Sequence, residues 1–377
     1  MKNLSKMLTL VLALVLMLTV FTACGNKDQA KPEETTPVEN ATEEKPEEPA
    51  EEAPTEVVEV GPIAKIGLGN ITSTTSSKDA GDKAAKGQAD VTVAAVAFDA
   101  DGKIVDVKID VAQTSAAFSE DNMKALVDDS VDYRTKMEKG PDYGMLKASP
   151  IGKEFNEQIV GLQDYLIGKT ADEVVGIATK QKDEHHTAVP DVAELETSCT
   201  IDIGAFQHVV KEAWDNAVDA NGATKLGLGV YTDGKGTDGK DDKGAKIQFN
   251  TYMCALGLDD QGKIVANYID TVQPKIEVAL DGTIVEKIED VQSKKELEDG
   301  YGMRKASEIG KEWFEQMNDF QEFTIGKTVE EVQGIPVKER DAAHKSVPDL
   351  PELETTVTIS VEGYQKVMGL AGANANK

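Results

Sequence analysis

Three cysteines, four histidines and two tryptophans in 377 residues leave little material for several kinds of chemistry. Cys24, Cys199 and Cys254 are too few for a disulfide framework and too far apart for a Cys-x-x-Cys redox or haem motif. Zinc wants three or four convergent Cys or His ligands, and none converge in the sequence, so no metal site is expected. No Ser-His-Asp arrangement can be argued. Lys65-Ile66-Gly67-Leu68-Gly69 lacks the third glycine of a dinucleotide loop and runs into β-rich sequence. Positive charge is also scarce: 40 Lys and Arg stand against 68 Asp and Glu, a net charge of −28. Such a surface repels phosphates and excludes nucleic acid as a partner. Aromatics make up 5% of the chain and hydrophobic residues 40%, lean enough that part of it is expected to stay unfolded.

What is present begins with an export signal. Lys2 and Lys6 precede an apolar run, Met7–Val20. Its helix would span about 21 Å, short of a ~30 Å hydrocarbon core, so residues 1–23 read as a signal peptide rather than a transmembrane helix. Phe21-Thr22-Ala23-Cys24-Gly25 resembles the bacterial lipobox. That resemblance implies lipidation of Cys24 and a protein anchored on the extracytoplasmic face of the cell membrane. Residues 24–62 then form an acidic Pro/Glu-rich linker with six prolines and twelve acids against three lysines. Like charges and little apolar surface keep it extended, with a reach on the order of 100 Å.

The remainder repeats. Lys65–Gly69 returns as Lys225-Leu226-Gly227-Leu228-Gly229, and Gly102-Lys103-Ile104-Val105 as Gly262-Lys263-Ile264-Val265. Tyr143-Gly144-Met145 returns as Tyr301-Gly302-Met303, Ile167-Gly168-Lys169-Thr170 as Ile325-Gly326-Lys327-Thr328, and Val189-Pro190-Asp191 as Val347-Pro348-Asp349. Copies of this length predict two tandem homologous domains, residues 63–220 and 221–377, rather than a solenoid. In each, two β-rich runs flank an Asp- and Gly-containing turn. A long helix is expected after Ser149-Pro150 or Ser307, and Thr170-x-x-Glu173 or Thr328-x-x-Glu331 should open a short one. A strand over Cys199–Ile203 or Val357–Val361 and a terminal helix complete the unit. The order predicts an α+β fold, each domain a small, mainly antiparallel sheet with packed helices.

Few residues suggest chemistry. Tyr143 and Tyr301, each beside a glycine, either offer an aromatic face to a planar ligand or plug the top of the core. His186 and His344, each matched by Asp183 or Asp341, read as surface loop residues. The glycine- and aspartate-rich Thr232–Gly244 reads as a flexible loop without EF-hand spacing. Cys199 and Cys254 alternate with apolar neighbours, as buried free thiols do.

The end of each copy resembles the FMN-binding domains of bacterial membrane electron-transfer complexes and exported flavoproteins. There Asp-x-x-Ser-Gly-Ala-Thr opens a terminal helix and its Thr carries FMN through a phosphoester. Glu194-Leu195-Glu196-Thr197-Ser198-Cys199-Thr200 and Glu352-Leu353-Glu354-Thr355-Thr356-Val357-Thr358 stand at the corresponding places, which assigns Thr200 and Thr358 to the cofactor. Ser198 and Thr356 replace the glycine that lets backbone approach phosphate, so the resemblance implies non-covalent rather than covalent FMN. The repeat is also similar to duplicated lipoproteins of Gram-positive bacteria. Two functions follow as expectations. The first is an anchored extracytoplasmic lipoprotein binding a flavin or other small ligand, in extracellular electron transfer. The second is a cofactor-free surface protein binding cell-wall polymer or a partner protein, where paired modules add avidity. Catalytic residues are not identified.

Overall fold

The computed structural model describes residues 59–376 apart from 129, 130, 132 and 343. The signal segment, Cys24 and the linker up to residue 58 lie outside the described residues. In the first half β1 (Lys65–Ser73), β2 (Lys86–Phe98) and β3 (Ile104–Phe118) pair antiparallel, with Lys65 opposite Phe98 and Thr92 opposite Val111. The β2–β3 turn forms as its sequence predicts. Asp99 Oδ1 accepts the N–H groups of Asp101 and Lys103 at 2.9 Å each, and Gly102 takes φ +79°. Short strands Ala125–Leu126 and Val218–Asp219 extend this sheet at its two edges. The helices that follow include α1 (Phe155–Leu166), α2 (Ala171–Val175) and α3 (Gly204–Asp215). Apolar residues at helical spacing on α1 and α3, among them Ile159, Leu162, Val209 and Val210, bury against Val96, Phe98 and Ile109 of the strands.

The second half places β4 (Lys225–Thr237), β5 (Lys246–Leu258) and β6 (Ile264–Val272) in a second antiparallel sheet with β5 central. Helices α4 (Trp313–Thr324), α5 (Val329–Gln333) and α6 (Glu362–Ala375) cover it, with Trp313, Met317, Val367 and Met368 packed on Cys254 and Leu256. Strand alternation gives each sheet a second apolar face. These faces bury one another: Ile66, Leu68, Val93 and Ala95 share a core with Leu226, Leu228, Met253 and Ala255. The layers therefore run helix, sheet, sheet, helix, and the described residues form one compact unit. A further shared core joins Phe118 to Ile247, Phe249 and Ile276. Backbone bonds also cross between the halves, Thr74 N–H to Ile288 O and Ala80 N–H to Gly282 O at 2.8 Å each, and Ala245 N–H to Asn122 O at 2.9 Å.

The α+β class with antiparallel sheets stands, and the Thr170/Glu173 and Thr328/Glu331 capping boxes form. Three local expectations do not. Each long helix begins later, at Phe155 or Trp313, because Glu154 and Glu312 cap it in boxes with Glu157 and Glu315. Ser149 Oγ instead accepts from Lys153 N–H at 3.1 Å and Gln158 Nε2 at 3.1 Å. Cys199–Ile203 and Val357–Val361 are loops rather than strands, since Cys199 N–H closes a turn on Leu195 O and Thr200 N–H is taken by a side chain. Thr232–Gly244 is not a free loop either; β4 continues through it to Thr237, paired with β5 as far as Lys246.

The repeated Gly-Leu-Gly runs have a packing reason. Leu68 and Leu228 face the opposing sheet, so Gly67, Gly69, Gly227 and Gly229 face the terminal helices. A Cβ on Gly67 would stand 1.7 Å from the Ala213 carbonyl oxygen, and one on Gly227 2.0 Å from that of Ala371. Helix backbone rests directly on strand backbone at these points. Gly67→Ala is expected to destabilise the protein by about 3 kcal/mol or more in urea unfolding, because backbone rather than a flexible side chain must give way. Gly81→Ala, with no atom within 4 Å of its Cβ position, should stay within about 0.5 kcal/mol of wild type.

Candidate functional site

Along the helix-facing side of β4 the sequence reads Gly227, Gly229, Tyr231, Asp233, Lys235. The glycines admit α6; the larger residues begin where α6 has started and the strand continues past it. Beyond the start of the helix lies a cavity of about 560 Å³, lined by Tyr231, Asp233 and Lys235 of β4, Tyr252 of β5 and Gly363 and Lys366 of α6. Ser346, Ser360, Lys345 and Glu362 complete its rim. An adjoining cavity of about 300 Å³ continues from Tyr231 and Asp233 to Val131 and Tyr133 of the first half.

Tyr231 and Tyr252 are cross-strand partners, and their rings stack at 5.8 Å with planes 18° apart. Lys366 Nζ sits 3.5 Å from the Tyr231 ring centroid. Gly363 leaves room for Tyr252, whose ring carbon would stand 2.7 Å from a Cβ there. Burial raises the Tyr252 hydroxyl pKa well above its ordinary value, and Tyr364 and Asp233 nearby add to this. Tyr252 therefore stays a neutral phenol. Three lysines against two carboxylates make the rim positive ground in a chain of net charge −28. Stacked aromatic surface beside cationic groups suits a planar, anionic ligand.

Of the residues singled out in the sequence, Tyr301 connects to this groove. Its hydroxyl donates to Gln273 Oε1 at 3.2 Å, Gln273 Nε2 donates to Asn250 Oδ1 at 2.8 Å, and Asn250 Nδ2 donates to Asp233 Oδ1 at 2.5 Å. Tyr301 itself packs under Lys294 Nζ at 4.9 Å, as Tyr143 packs under Lys136 Nζ at 5.0 Å and edge-on to Phe155. Both tyrosines are half-buried parts of the core top. Thr200 and Thr358 sit apart from the groove, tied to fully buried glutamines. Gln158 Oε1 accepts from Thr200 N–H at 2.8 Å and its hydroxyl at 3.2 Å, and Gln316 holds Thr358 at the same distances. Ser198 and Thr356 turn their hydroxyls onto the backbone carbonyls of Glu194 and Leu353.

His186 Nδ1 meets Asp183, and His344 Nδ1 meets Asp341, each at 2.8 Å and exposed to solvent. Among the described residues no three His, Cys, Asp or Glu side chains gather as a metal site would need. Cys199 and Cys254 are buried free thiols as expected, and burial pushes Cys199 up to about 11. Tyr231, Tyr252 and Lys366 were not singled out. Their signal was available, because Ile71, Thr92 and His208 hold the matching places in the first half.

Buried carboxylates recur at matching places in the two halves, and Glu212 meets those of the second half. Asp110 accepts Met137 N–H at 3.1 Å, and Asp270 accepts Lys295 N–H at 3.1 Å and the Ser293 hydroxyl at 2.6 Å; burial pushes both up to about 6. Glu212 of α3 accepts Asn70 N–H at 2.7 Å. Burial pushes it up to about 8, with Glu296 and Asp270 of the second half adding repulsion.

A stretch of 104 residues is 39% identical to a chlorophenol reductase of Desulfitobacterium hafniense. The similarity is partial. It takes in 24% of this chain and 32% of that protein's length. No family model and no solved structure matches the chain.

Glu212 yields a pH prediction. Its folded pKa lies above the unfolded one, so the native state holds the extra proton and stability falls as pH rises from about 4.5 to about 8. Glu212→Gln should flatten this slope and be the more stable protein at pH 8, by roughly 2 kcal/mol after allowance for partial exposure. Urea unfolding at pH 5 and pH 8 measures it; equal slopes for the two proteins would show the carboxyl to be uncoupled from folding.

Proposed function

We propose that this chain is a lipid-anchored extracytoplasmic protein that binds flavin mononucleotide non-covalently in the Tyr231 groove and serves in extracellular electron transfer. The observation that carries the reading is the stacked Tyr231–Tyr252 pair beside Lys366 in a cavity of ligand size. FMN joins a flat ring to a phosphate, and the groove offers an aromatic face and three lysines to match. Lys366, which rests over the Tyr231 face not stacked on Tyr252, would swing aside to let the flavin ring lie there; Lys235, Lys345 and Lys366 would then take the phosphate, and Ser346, Ser360 and Asp233 would bond polar edges. FMN when bound supplies one- and two-electron chemistry. A reductase among the similar proteins supports a redox role, as does the resemblance of the repeat ends to FMN-binding domains. The non-covalent form is favoured because the Thr200 and Thr358 hydroxyls already serve Gln158 and Gln316.

Full-length protein extracted from membranes should quench FMN fluorescence saturably. Tyr231→Ala and Lys366→Ala should each weaken binding about tenfold, the ~1.4 kcal/mol of one lost stacking face or charge-assisted bond. Protein that takes up no FMN, or variants that bind as wild type, would overturn the assignment and leave the cofactor-free surface protein as the better reading. A mass increase mapped to Thr200 or Thr358 would instead establish the covalent form.

The anchor is tested separately. Cys24→Ala should abolish incorporation of labelled palmitate and move the protein from the detergent phase to the aqueous phase. Unchanged partitioning would rule out Cys24 as the lipidation site.

A further inference from the structure

The other end of the same terminal helix carries a second difference between the halves. In the first half Ala213 presents its carbonyl oxygen to Gly67, and the next residue is Trp214. The Trp214 indole lies edge-on to Phe98, with centroids 5.0 Å apart and planes at 78°. It comes within 3.1 Å of the Cβ position of Gly102 in the hairpin turn. Trp214 thus covers Phe98 between the hairpin tip and the end of α3, with 36% of its surface exposed.

In the second half Ala371 presents its carbonyl oxygen to Gly227, and the next residue is Gly372. Leu258 stands opposite Lys225 as Phe98 stands opposite Lys65, and Gly262 keeps the turn conformation of Gly102 with φ +77°. Leu258, Gly262 and Gly372, the counterparts of Phe98, Gly102 and Trp214, all line a cavity of about 460 Å³. Val329 takes part of the vacated space, its methyl 2.6 Å from where a Gly372 Cβ would stand, and the remainder is open. Glu330, Gln333 and Asn376 lie at its rim, and no lysine or arginine lines it. It shares no lining residue with the Tyr231 groove.

We propose that this groove binds a flat, neutral or cationic aromatic small molecule of indole size, seated where the first half carries Trp214. The first half supplies the comparison: its hairpin tip and the end of α3 hold an indole on two sides with about a third of it exposed, while α6 runs two residues further than α3 and sets Ala373 and Asn376 beside the open place. Leu258 and Val329 give apolar walls to the ring, the glycines let it approach the backbone, and the rim amides accept or donate at its edge. Glu330 sets the charge preference, attracting a cation and repelling an anion.

Calorimetric titration of the full-length chain with indole, tryptamine and indole-3-acetate tests this. Wild type should bind one equivalent of indole saturably, tryptamine more tightly, and indole-3-acetate at least tenfold more weakly than tryptamine. Val329→Ala with Gly372→Trp restores the tryptophan and the smaller first-half residue Ala171, and should cut indole binding at least tenfold. Trp214→Gly should add a second indole site. Glu330→Lys, an exposed change, should reverse the order of tryptamine and indole-3-acetate, and it decides the matter should the refilled variant not fold. No saturable binding to wild type, full binding by the refilled variant, or an unchanged order in Glu330→Lys would each overturn the proposal. Binding of N-acetyltryptophanamide without binding of indole would also overturn it, and would point to a tryptophan on a partner chain as the occupant.

Discussion

The arrangement depends on one close approach, that of the terminal helix of each half to its first strand. Helix backbone meets strand backbone at Gly67 and Gly69, and again at Gly227 and Gly229, where any Cβ would stand 1.7–2.0 Å from a carbonyl oxygen. Such contact fixes both the height of the helix and its position along the strand. A helix lying this low also brings Gln207 and Gln365 within reach of the carbonyls that end α2 and α5, and their side-chain amides donate to Val174 O and Ile177 O, or Val332 O and Ile335 O. Once the helix is pinned, its two ends are pinned as well. Where α6 begins, β4 runs on and leaves the Tyr231 groove; where α6 nears its end, Gly372 leaves the other.

Both grooves lie in the second half, and both arise by substitution on a shared backbone. Ile71 and Thr92 of the first half sit where Tyr231 and Tyr252 form their stacked pair. Trp214 and Phe98 fill what Gly372 and Leu258 leave open. The first half carries Ile71, Thr92 and His208 at one place and Trp214 with Phe98 at the other, where the second carries aromatic rings, a lysine and a glycine. The two sheets meanwhile bury one another's inner faces through small residues, Ala95, Ala97, Ala112, Ala255 and Ala266 among them. One half can therefore act as buttress while the other carries cavities, whose open walls cost packing that the shared core offsets.

The parts of this fold legible in the sequence are those set within a few residues. The Asp-Gly turn at Gly102 and the Thr170 and Thr328 capping boxes need only their own neighbours. What misled was satisfied from afar. Thr200 sits in a stretch that alternates like a strand, yet its N–H is taken by Gln158, 42 residues earlier. Glu154 caps its helix while also accepting Met145 and Leu146 N–H, so the loop and the helix start are one network, and Ser149-Pro150 is only part of that loop. The site was hidden for a different reason. Its residues are ordinary in composition, and only their departure from the matching positions of the other copy marks them.

That departure also resolves how an acidic protein presents positive ground. Net charge governs long-range repulsion, but a ligand at contact distance meets the few groups around it, and a Debye length of about 8 Å at physiological salt screens the rest. Lys235, Lys345 and Lys366 converge at the groove from β4, the loop before β-paired Val347 and α6. Glu362, which opposes them, is engaged by the Ser346 hydroxyl at 2.8 Å, and Asp233 by Asn250. The carboxylates thus have fixed neighbours, while Lys366 rests on the Tyr231 ring and Lys235 and Lys345 line the groove beside it. The acidic exterior then sets long-range repulsion without deciding what the groove selects.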